Sequence, residues 1–379
     1  MTQMARDLAS QGHDVISLSI GEPDFDTPEH IKKAAIEALE KGDTKYTPVP
    51  GTMSLRKAIV EKFKRDNGLT FSEKEIVVSN GAKQSIANVV LSLVNEGDEV
   101  ILFAPYWVSY KEIVKLAGGV PVEVKADIKQ NFIVTADQLK AALSNKTRLI
   151  IFSSPCNPTG SVYTHDDLQS LVEVLKDFPE VIVLSDEIYE YINFTDKHDS
   201  IGTFEAVKDR TVTVNGFSKG FAMTGWRLGY MGAPEWLASA CAKIQGQITS
   251  GAASFNQAAA AVALSTSLQP TKEMQKAFEE RRDMFIALLS EIPGFIVNKP
   301  TGAFYVFPDI SALFGKTFGS EVISNADDFA MFLLAEAHVA VVSGGAFGAD
   351  ECIRLSYAAS ETQLREAVAR IKAAVAKLS

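Results

Sequence analysis

The sequence predicts an α/β fold built on a mostly parallel sheet, and two observations carry that prediction. Short runs rich in valine and isoleucine recur along the chain. They are apolar at nearly every position, as strands buried on both faces are. Helical patterns lie between the runs, for example over residues 84–94 and 166–176. Alternating strands and helices are typical of a parallel sheet covered by helices.

Seven apolar runs are the candidate strands of this part of the chain. In order they are 15–20 (VISLSI), 75–80 (EIVVSN), 99–104 (EVILFA), 148–154 (RLIIFSS), 181–186 (VIVLSD), 211–215 (TVTVN) and 228–232 (LGYMG). Each is short enough for a strand and is followed by a turn or a helical pattern, so each fits one step of a repeating strand-and-helix arrangement.

The pattern changes from about Thr271 onward. A long charged helix is predicted over 272–290, and three shorter apolar segments follow it with helices between and after them. These segments are 302–307 (GAFYVF), 340–345 (AVVSGG) and 352–357 (CIRLSY). We predict a large domain over 32–270 and a smaller α+β domain made of 1–31 together with 271–379.

Composition and charge exclude several classes of protein. The 379 residues are 46% hydrophobic and 22% charged, a balance that excludes an intrinsically disordered chain. Lys and Arg number 37 against 47 Asp and Glu, which gives a formal charge of −10. No basic cluster is present, so nucleic-acid and anionic-membrane partners are disfavoured. The longest uncharged stretch, 244–271, is rich in Gln, Ser and Thr and is not a membrane span.

Cysteine, histidine and glycine patterns narrow the choice further. The three cysteines and five histidines are scattered, so neither a disulfide framework nor a metal centre is predicted. No G-x-G occurs, which excludes the dinucleotide fingerprint. The first residues carry charges and no apolar signal core, so we expect a cytoplasmic enzyme.

Residues suited to ligand binding or catalysis lie at or immediately after the ends of five of the apolar runs. These loops are 79–83 (SNGAK), 105–107 (PYW), 156–160 (CNPTG), 186–189 (DEIY) and 216–219 (GFSK). Ligands of open α/β sheets bind outside the carboxyl ends of the strands. The five loops are therefore expected to converge on one site.

The segment 216–229 (GFSKGFAMTGWRLG) carries the sharpest chemistry. Lys219 lies among small and apolar residues after a predicted strand, where a partly desolvated amine can act as a nucleophile. Arg227 follows eight positions later, and its planar guanidinium suits a phosphate. Taken singly, the two residues could equally be a surface lysine and a structural arginine.

The whole segment resembles the lysine signature of the class I pyridoxal-phosphate-dependent aminotransferases of fold type I. The resemblance runs from about Leu18 to the C-terminus. Its other landmarks, all in family order, are GEPDFDTP (21–28), TKYTPVPG (44–51), PYW (105–107), NPTG (157–160), SDEIYE (185–190) and IRLSYA (353–358). The most similar branch is the bacterial aspartate aminotransferases, some of which also use prephenate. The resemblance implies a large domain with a mostly parallel seven-stranded sheet, a homodimer with shared active sites, and pyridoxal 5′-phosphate as cofactor.

The resemblance assigns roles to residues at the predicted strand ends. Lys219 would bond covalently to the cofactor and then move the substrate proton. Asp186 would pair with the pyridine nitrogen, although an isolated Asp there could instead cap a helix. Tyr189 and Asn157 would hydrogen-bond the cofactor's 3′ oxygen, while Asn157 alone is also explained by turn chemistry. Trp107 would stack on the ring or, alternatively, be a core aromatic. Asn157 and Trp107 would border the substrate as well.

Further roles concern the phosphate and the substrate. Gly81, Ala82 and Lys83 would open a helix whose N–H groups bind the phosphate, and an ordinary strand-to-helix turn is the alternative. By the resemblance, Arg227 would contact the same phosphate. Arg354 would hold the substrate α-carboxylate by a bidentate pair. Gly21 would lie in the loop near the substrate, where a side chain could obstruct binding.

Three positions relate to the dimer and to departures from the family pattern. Tyr46 would reach the partner subunit's phosphate, though alone it is an ordinary loop tyrosine. Many relatives have serine where this chain has Gly216, so Ser218, which directly precedes Lys219, is the candidate substitute. The region 244–271 contains no arginine for a substrate side-chain carboxylate. Lys83 is the candidate cation for that carboxylate, and it could otherwise neutralise the cofactor phosphate or face solvent.

The resulting hypothesis is an aminotransferase with a ping-pong mechanism. It would move an amino group from aspartate or glutamate to 2-oxoglutarate or oxaloacetate. Two alternatives stay open at this point: aromatic, neutral or prephenate-type substrates, and a β-lyase or synthase that uses the same cofactor. Lys219, Asp186 and Arg354 would be retained in all of these, so their presence does not separate them.

Overall fold

A computed structural model describes residues 2–379. The α-helices of this part of the chain are α1 Thr2–Ser10, α2 Glu29–Glu40, α3 Met53–Lys62, α4 Ala82–Leu93, α5 Ser109–Leu116, α6 Ala136–Ala142, α7 His165–Leu175, α8 Glu235–Ile248, α9 Ser254–Ser265, α10 Gln269–Leu289, α11 Ala326–Phe332 and α12 Glu361–Val375. The strands are β1 Ile16–Ser17, β2 Ile76–Ser79, β3 Glu99–Ala104, β4 Val120–Lys125, β5 Thr147–Ser153, β6 Ile182–Asp186, β7 Thr211–Gly216, β8 Gly229–Gly232, β9 Tyr305–Val306, β10 Thr317–Phe318, β11 Glu321–Val322, β12 Val339–Ala340, β13 Val342–Ser343 and β14 Ile353–Ser356. None of the helices within 2–379 combines the length and the apolar character that crossing a bilayer requires.

A seven-stranded sheet forms the centre of the molecule, in the order β2-β8-β7-β6-β5-β3-β4. The strands from β7 to β4 run parallel, while β8 is antiparallel to both β7 and β2. The strands β2, β6, β7 and β8 are buried at every position, which explains why their sequences are continuously apolar. The predicted α/β fold with a mostly parallel seven-stranded sheet is confirmed.

The membership of the sheet differs from the prediction at two strands. The first apolar run, 15–20, forms only β1, and β1 pairs with β12 rather than joining the large sheet. The seventh strand is instead β4, which pairs with β3 at the edge. Its residues are mostly half-exposed and include Pro121, so it has no continuous apolar run to detect. Edge strands tolerate proline because their outer N–H groups have no ladder partner.

The C-terminal part contains a three-stranded antiparallel sheet in the order β13-β14-β9. One hydrophobic cluster joins the start of the chain to this part, because Ile16 and Leu18 pack with Phe278 and Leu355. The N-terminal segment is thus built into the C-terminal part by β1 and by these contacts. We propose the division into 32–270 and 1–31 with 271–379 on this ground.

The direction in which the strands run determines where the loops with polar side chains can meet. β3, β5, β6 and β7 are parallel, so their carboxyl ends lie at one edge. β2 shares that direction because two antiparallel pairings, β2 with β8 and β8 with β7, restore it. The five loops singled out in the sequence follow these five strands and therefore leave the sheet at the same edge.

Candidate active site

The carboxyl edge of the sheet borders a cavity of about 830 Å³. All five loops contribute a side chain to its lining, at Lys83, Trp107, Asn157, Asp186 and Lys219. The remaining wall comes from the N-terminal segment around Gly21 and from β9 and β14. The site is therefore assembled from both ends of the chain around the centre of the sheet.

Lys219 is half-buried just after β7, and its Nζ donates a hydrogen bond to the carbonyl oxygen of Gly21. Burial, aided by the charges of Arg354 and Arg227 and opposed by that of Glu22, lowers the pKa of Lys219 to about 8. A lysine with such a pKa is partly neutral near physiological pH, which a nucleophilic amine needs.

Asp186 ends β6, and its side chain enters the cavity. Tyr110 Oη donates to Asp186 Oδ2 at 2.5 Å, and the backbone N–H of Ile188 donates to Oδ1 at 3.3 Å. Burial raises the pKa of Asp186 to about 6, and the bond from Tyr110 opposes that rise. The carboxylate therefore lacks a strong cationic partner and is available to a positively charged group in the cavity.

Arg354 projects from β14 and is buried. Its Nη1 donates to Asn157 Oδ1 at 2.9 Å and its Nη2 to the carbonyl oxygen of Ser19 at 2.8 Å. Its Nε is buried without a hydrogen-bond partner among the described residues. Within residues 2–379 no carboxylate forms an ion pair with it. A buried, oriented guanidinium that lacks a counter-ion is a receptor for an anion.

A second anion-binding position lies at the start of α4. Gly81 precedes this helix with φ +85°, and a Cβ there would lie 2.5 Å from Arg227 Nη2. The left-handed backbone at this position favours glycine, and the absence of a side chain lets Arg227 approach the helix start. Burial lowers the pKa of Lys83, and the nearby charge of Arg227 lowers it further. Two cations beside a helix N-terminus are the donor set that binds a phosphate.

The hydroxyl groups of Tyr189 and Tyr305 lie 2.8 Å apart at the wall of the cavity. Tyr305 also lies under the guanidinium of Arg354, whose Cζ is 4.5 Å from the ring centroid. A Cβ at Gly21 would meet Tyr305 Oη at 2.9 Å, so the tyrosine accounts for the glycine at that position. Tyr305 therefore connects the N-terminal loop, Tyr189 and the Arg354 position.

The structure brings most of the residues singled out in the sequence to this one cavity. Those that line it are Gly21, Ala82, Lys83, Trp107, Asn157, Asp186, Tyr189, Ser218, Lys219, Arg227 and Arg354. Gly81 lies beside it against Arg227. Tyr46 does not line it and is 99% exposed in the single chain. The roles assigned to these residues stay predictions.

Sequence reasoning missed Tyr110, Tyr305 and the contribution of α1. Tyr110 lies three residues after Trp107, so its spacing on the following helix could have indicated it. Tyr305 lies in an apolar segment whose sequence is typical of the hydrophobic core, and only the tertiary packing brings it to Tyr189. Ala5 and Arg6 of α1 border the cavity through the packing of Ala5 against Leu334 and Ala340, which the sequence does not reveal.

Comparison with known proteins follows the same lines. The family profile described as "Aminotransferase class I and II" matches residues 13–371. The chain belongs to this family. It is 48% identical over 375 residues to the "Probable aspartate/prephenate aminotransferase" of Rhizobium leguminosarum bv. phaseoli, covering 98% of this chain and 94% of that protein. The protein is thus an aminotransferase, as the signature around Lys219 indicated.

Solved aminotransferase structures agree with the fold. The crystal structure of the aspartate aminotransferase from Rhizobium meliloti superposes with a TM-score of 0.97 at 44% identity, covering 100% of this chain and 95% of that one. The aspartate aminotransferase from Thermus thermophilus with maleate has a TM-score of 0.91 at 39% identity, covering 98% and 95%. The fold type I architecture of this aminotransferase is therefore established.

The family implies pyridoxal phosphate as cofactor, and the cavity provides groups that suit each part of it. Arg227, Lys83 and the start of α4 suit a phosphate. Asp186, a carboxylate without a strong cationic partner, suits a protonated ring nitrogen, and Lys219 suits an aldehyde. The donor set of this aminotransferase thus fits the group that its family uses.

Proposed function

We propose that this aminotransferase transfers the amino group of an acidic L-amino acid, aspartate or glutamate, to a 2-oxo acid such as 2-oxoglutarate or oxaloacetate. One observation carries the proposal: a single cavity contains Lys219 with its lowered pKa, the carboxylate of Asp186, and the unpaired guanidinium of Arg354. These are a nucleophilic amine, an anionic partner for a cationic ring, and a receptor for a carboxylate. The names of the relatives support the choice of acidic substrates.

Residues of the cavity would divide the binding of cofactor and substrate between them. Arg227, Ser218 and the backbone of Gly81 to Lys83 would bind the phosphate, and Asp186 the ring nitrogen. When bound, pyridoxal phosphate supplies an aldehyde that takes up the amino group and a ring that withdraws electrons from the substrate. Trp107 would hold the ring by stacking on it, and Tyr189 and Asn157 would hydrogen-bond its 3′ oxygen.

The chain's own groups then orient the substrate and move one proton. Arg354 would bind the α-carboxylate by two parallel hydrogen bonds and thereby fix the substrate Cα beside Lys219. The free Nζ of Lys219 would take the proton from the substrate Cα as a general base, and its ammonium form would then give a proton back as a general acid. A pKa near 8 suits both steps because the amine must accept and release a proton at similar pH.

Lys83 supports the choice of a dicarboxylic substrate. It lines the cavity, and its Nζ lies 4.8 Å from the centroid of the Trp107 ring. That position is beside the proposed ring site, where a substrate side chain would extend. A desolvated side-chain carboxylate needs such a cation because an unpaired buried charge is costly. The Thermus thermophilus enzyme solved with maleate, a dicarboxylate, shows that a relative accepts this class of ligand.

The first prediction tests this substrate choice with Lys83→Ala. We expect kcat/KM for aspartate and glutamate to fall about ten- to a hundredfold more than for alanine or phenylalanine, the effect of losing one charge-assisted hydrogen bond. Single half-reactions followed by the absorbance of the bound cofactor give these values for each donor.

A matched control is Lys115→Ala, an exposed lysine of α5, which should change none of these ratios. Equal losses for acidic and neutral donors would contradict the role of Lys83 in selecting substrates. Turnover that proceeds without any 2-oxo acid would contradict transamination and favour a β-lyase or synthase.

A prephenate-type substrate is the second candidate, because the Rhizobium leguminosarum relative carries prephenate in its name. The cavity of about 830 Å³ extends past Trp107 to the apolar side chains of Ile20, Val108 and Phe347. A larger substrate with an unsaturated ring would lie against these walls. Half-reaction rates with prephenate as amino acceptor, compared with oxaloacetate, decide whether this wider part of the cavity is used.

We also propose a homodimer with shared active sites and a cytoplasmic location. Tyr46 is exposed in the single chain, and exposed apolar side chains occur near it in sequence at Ile36, Leu39 and Met53. Such side chains favour burial against a second copy. The three cysteines are free and buried, which favours a reducing compartment.

The second prediction tests the shared site by subunit exchange. Tyr46→Phe should weaken cofactor retention by about 1.5–3 kcal/mol, the value of one hydrogen bond to a charged group. Mixing Tyr46→Phe subunits with Lys219→Ala subunits should restore activity, because one site of each heterodimer would be intact. Verified exchange without recovered activity would mean that each site is built within one chain.

A further inference from the structure

A group of buried polar and charged residues lies on the side of residues 186–190 that faces away from the cavity. We call it the back-face cluster, and its charged and titratable members are Lys62, Glu187, Glu190 and His198, joined by Asn67. Asp186 and Tyr189 of the same segment line the cavity. Neighbouring residues of one short segment therefore serve the two sides.

Hydrogen bonds use both carboxylates of the back-face cluster. Glu187 Oε1 accepts from Ser200 Oγ at 2.6 Å and from Ser185 Oγ at 2.9 Å. Glu187 Oε2 lies 2.9 Å from His198 Nε2 and accepts from Asn67 Nδ2 at 3.2 Å. The four contacts fill the acceptor positions of this carboxylate. Since Glu187 can only accept, His198 Nε2 carries a hydrogen and donates it.

Glu190 is held by the other end of the cluster. Its Oε2 accepts from Asn67 Nδ2 at 2.7 Å, and its Oε1 forms an ion pair with Lys62 Nζ. Lys62 Nζ also donates to Asn67 Oδ1 at 2.7 Å, and its side chain is fully buried. Lys62 at the end of α3 and Asn67 in the turn after it thus fix the segment that carries Asp186 and Tyr189.

The formal charges of the cluster balance in only one protonation state of His198. Two carboxylates and one ammonium leave a net charge of −1 in a buried site, which is costly. A second proton on the imidazole makes the total zero. His198 Nδ1 is buried and has no hydrogen-bond partner among the described residues, so it is the atom where that proton is gained or lost.

The surroundings of the ring support this assignment. Burial by itself would lower the pKa of His198, but the charge of Glu187 and the hydrogen bond to it raise the pKa above its usual value. Glu190 adds to the rise and Lys62 opposes it. On the loop of His198 itself, Asp199 is engaged with Lys197 at 2.8 Å and lies 3.8 Å from His165.

A metal ion would need the same groups. Oxygen and nitrogen atoms of Glu187, Glu190 and His198 lie within 4.8 Å of one another. Lys62 already supplies a cation there, and a His198 that donates from Nε2 has no lone pair on that atom for a metal. The cluster is therefore organised around protons and an ammonium group.

We propose that His198 is a positioning residue whose imidazolium charge neutralises the back-face cluster and thereby holds Asp186 and Tyr189 in place for the cofactor. This inference rests on the proposed roles of those two residues. Loss of the proton leaves an uncompensated carboxylate behind the segment. We expect the segment to loosen, and the affinity for the cofactor to fall, as the pH rises through the pKa of His198.

The test compares cofactor dissociation constants of the whole protein across pH. For His198→Gln, which keeps a donor but no charge, the ratio of its dissociation constant to that of the wild type should be about three or more at pH 6 and approach one by pH 9. The ratio cancels the ionisation of the cofactor itself. A ratio that does not change with pH, whether one or larger, would overturn the proposal, and His165→Gln on the surface is the control.

A second measurement separates charge from packing. Histidine-labelled protein should show His198 titrating above the usual histidine range by NMR, with its resonance assigned through His198→Gln. In Glu190→Gln the cluster is neutral without the extra proton, so the pKa of His198 should fall. In that background, the ratio of the cofactor dissociation constants with and without His198→Gln should no longer depend on pH. A His198 that stays neutral from pH 5 to 9 would refute the charge role, whatever the enzyme transaminates.

Discussion

Residues 186–190 separate two groups of buried cations that differ in one respect. In the cavity, Lys219 and Arg354 form no ion pair with any carboxylate of the described chain. In the back-face cluster, Lys62 forms an ion pair with Glu190 and a hydrogen bond with Asn67. Burying a charge without a partner costs free energy of folding. The unpaired cations therefore belong to a site that awaits an anionic ligand, whereas the paired one belongs to the scaffold.

The largest expected effect concerns the unpaired lysine of the cavity. Lys219→Ala should lower kcat by more than about a thousandfold if, as proposed, the amine serves both as nucleophile and as general base. The stability of the cofactor-free protein should not fall, since no ion pair is lost. Steady-state kinetics and chemical denaturation measure the two quantities.

The same variant carries a pH signature. The native lysine releases its proton near pH 8, whereas the unfolded lysine keeps it to about pH 10.4. Between these values the unfolded state binds more protons, so the wild type should gain stability as the pH rises. Lys219→Ala should lack this gain, and an unchanged pH profile would contradict the burial of the amine.

The next largest effect concerns the ion pair between Lys62 and Glu190 in the back-face cluster. Lys62→Met should lose about 3–5 kcal/mol in free energy of unfolding, because it leaves a buried carboxylate without its cation. Lys57→Met, an exposed position on the same helix, should change stability little. Adding Glu190→Gln to Lys62→Met should recover part of the loss. If the double variant is no more stable than Lys62→Met, the ion pair is not the source of the effect.

A smaller effect concerns Asp186, in the segment between the two groups of cations. The native pKa of Asp186 is about 6, above the unfolded value of about 3.9, so its stabilising contribution is present below pH 3.9 and is lost as the pH rises through 6. Asp186→Asn should therefore stabilise the cofactor-free protein by about 1–3 kcal/mol at pH 7, and not at pH 4.

Activity should move in the opposite direction for the same substitution. Asp186→Asn should lose most of kcat, because the amide cannot hold a proton on the ring nitrogen. Asp177→Asn on the surface is the control for both measurements. A variant that is less stable at pH 7, or one that keeps near-wild-type transamination, would contradict the role given to this carboxylate.

Much of the sheet and of its loops follows from local sequence. β2, β3, β5, β6, β7 and β8 are all runs of apolar residues, and the loops that follow β2, β3, β5, β6 and β7 carry the polar side chains. Both signals lie within about ten residues, so the sequence reveals them directly. β4 was not predicted because a half-exposed edge strand has neither a continuous apolar run nor a regular alternation of apolar and polar residues.

Local sequence therefore predicted the fold class, most of the strands along the chain, and Lys219 and Asp186 as candidate reactive groups at strand ends. The tertiary structure decided which distant residues meet them. Arg354 donates to Ser19 across 335 residues, Tyr305 reaches Tyr189 across 116, and Asn67 reaches Glu187 across 120. Hydrophobic periodicity is a local property, whereas pairing across such separations depends on how whole elements pack and bury their charges.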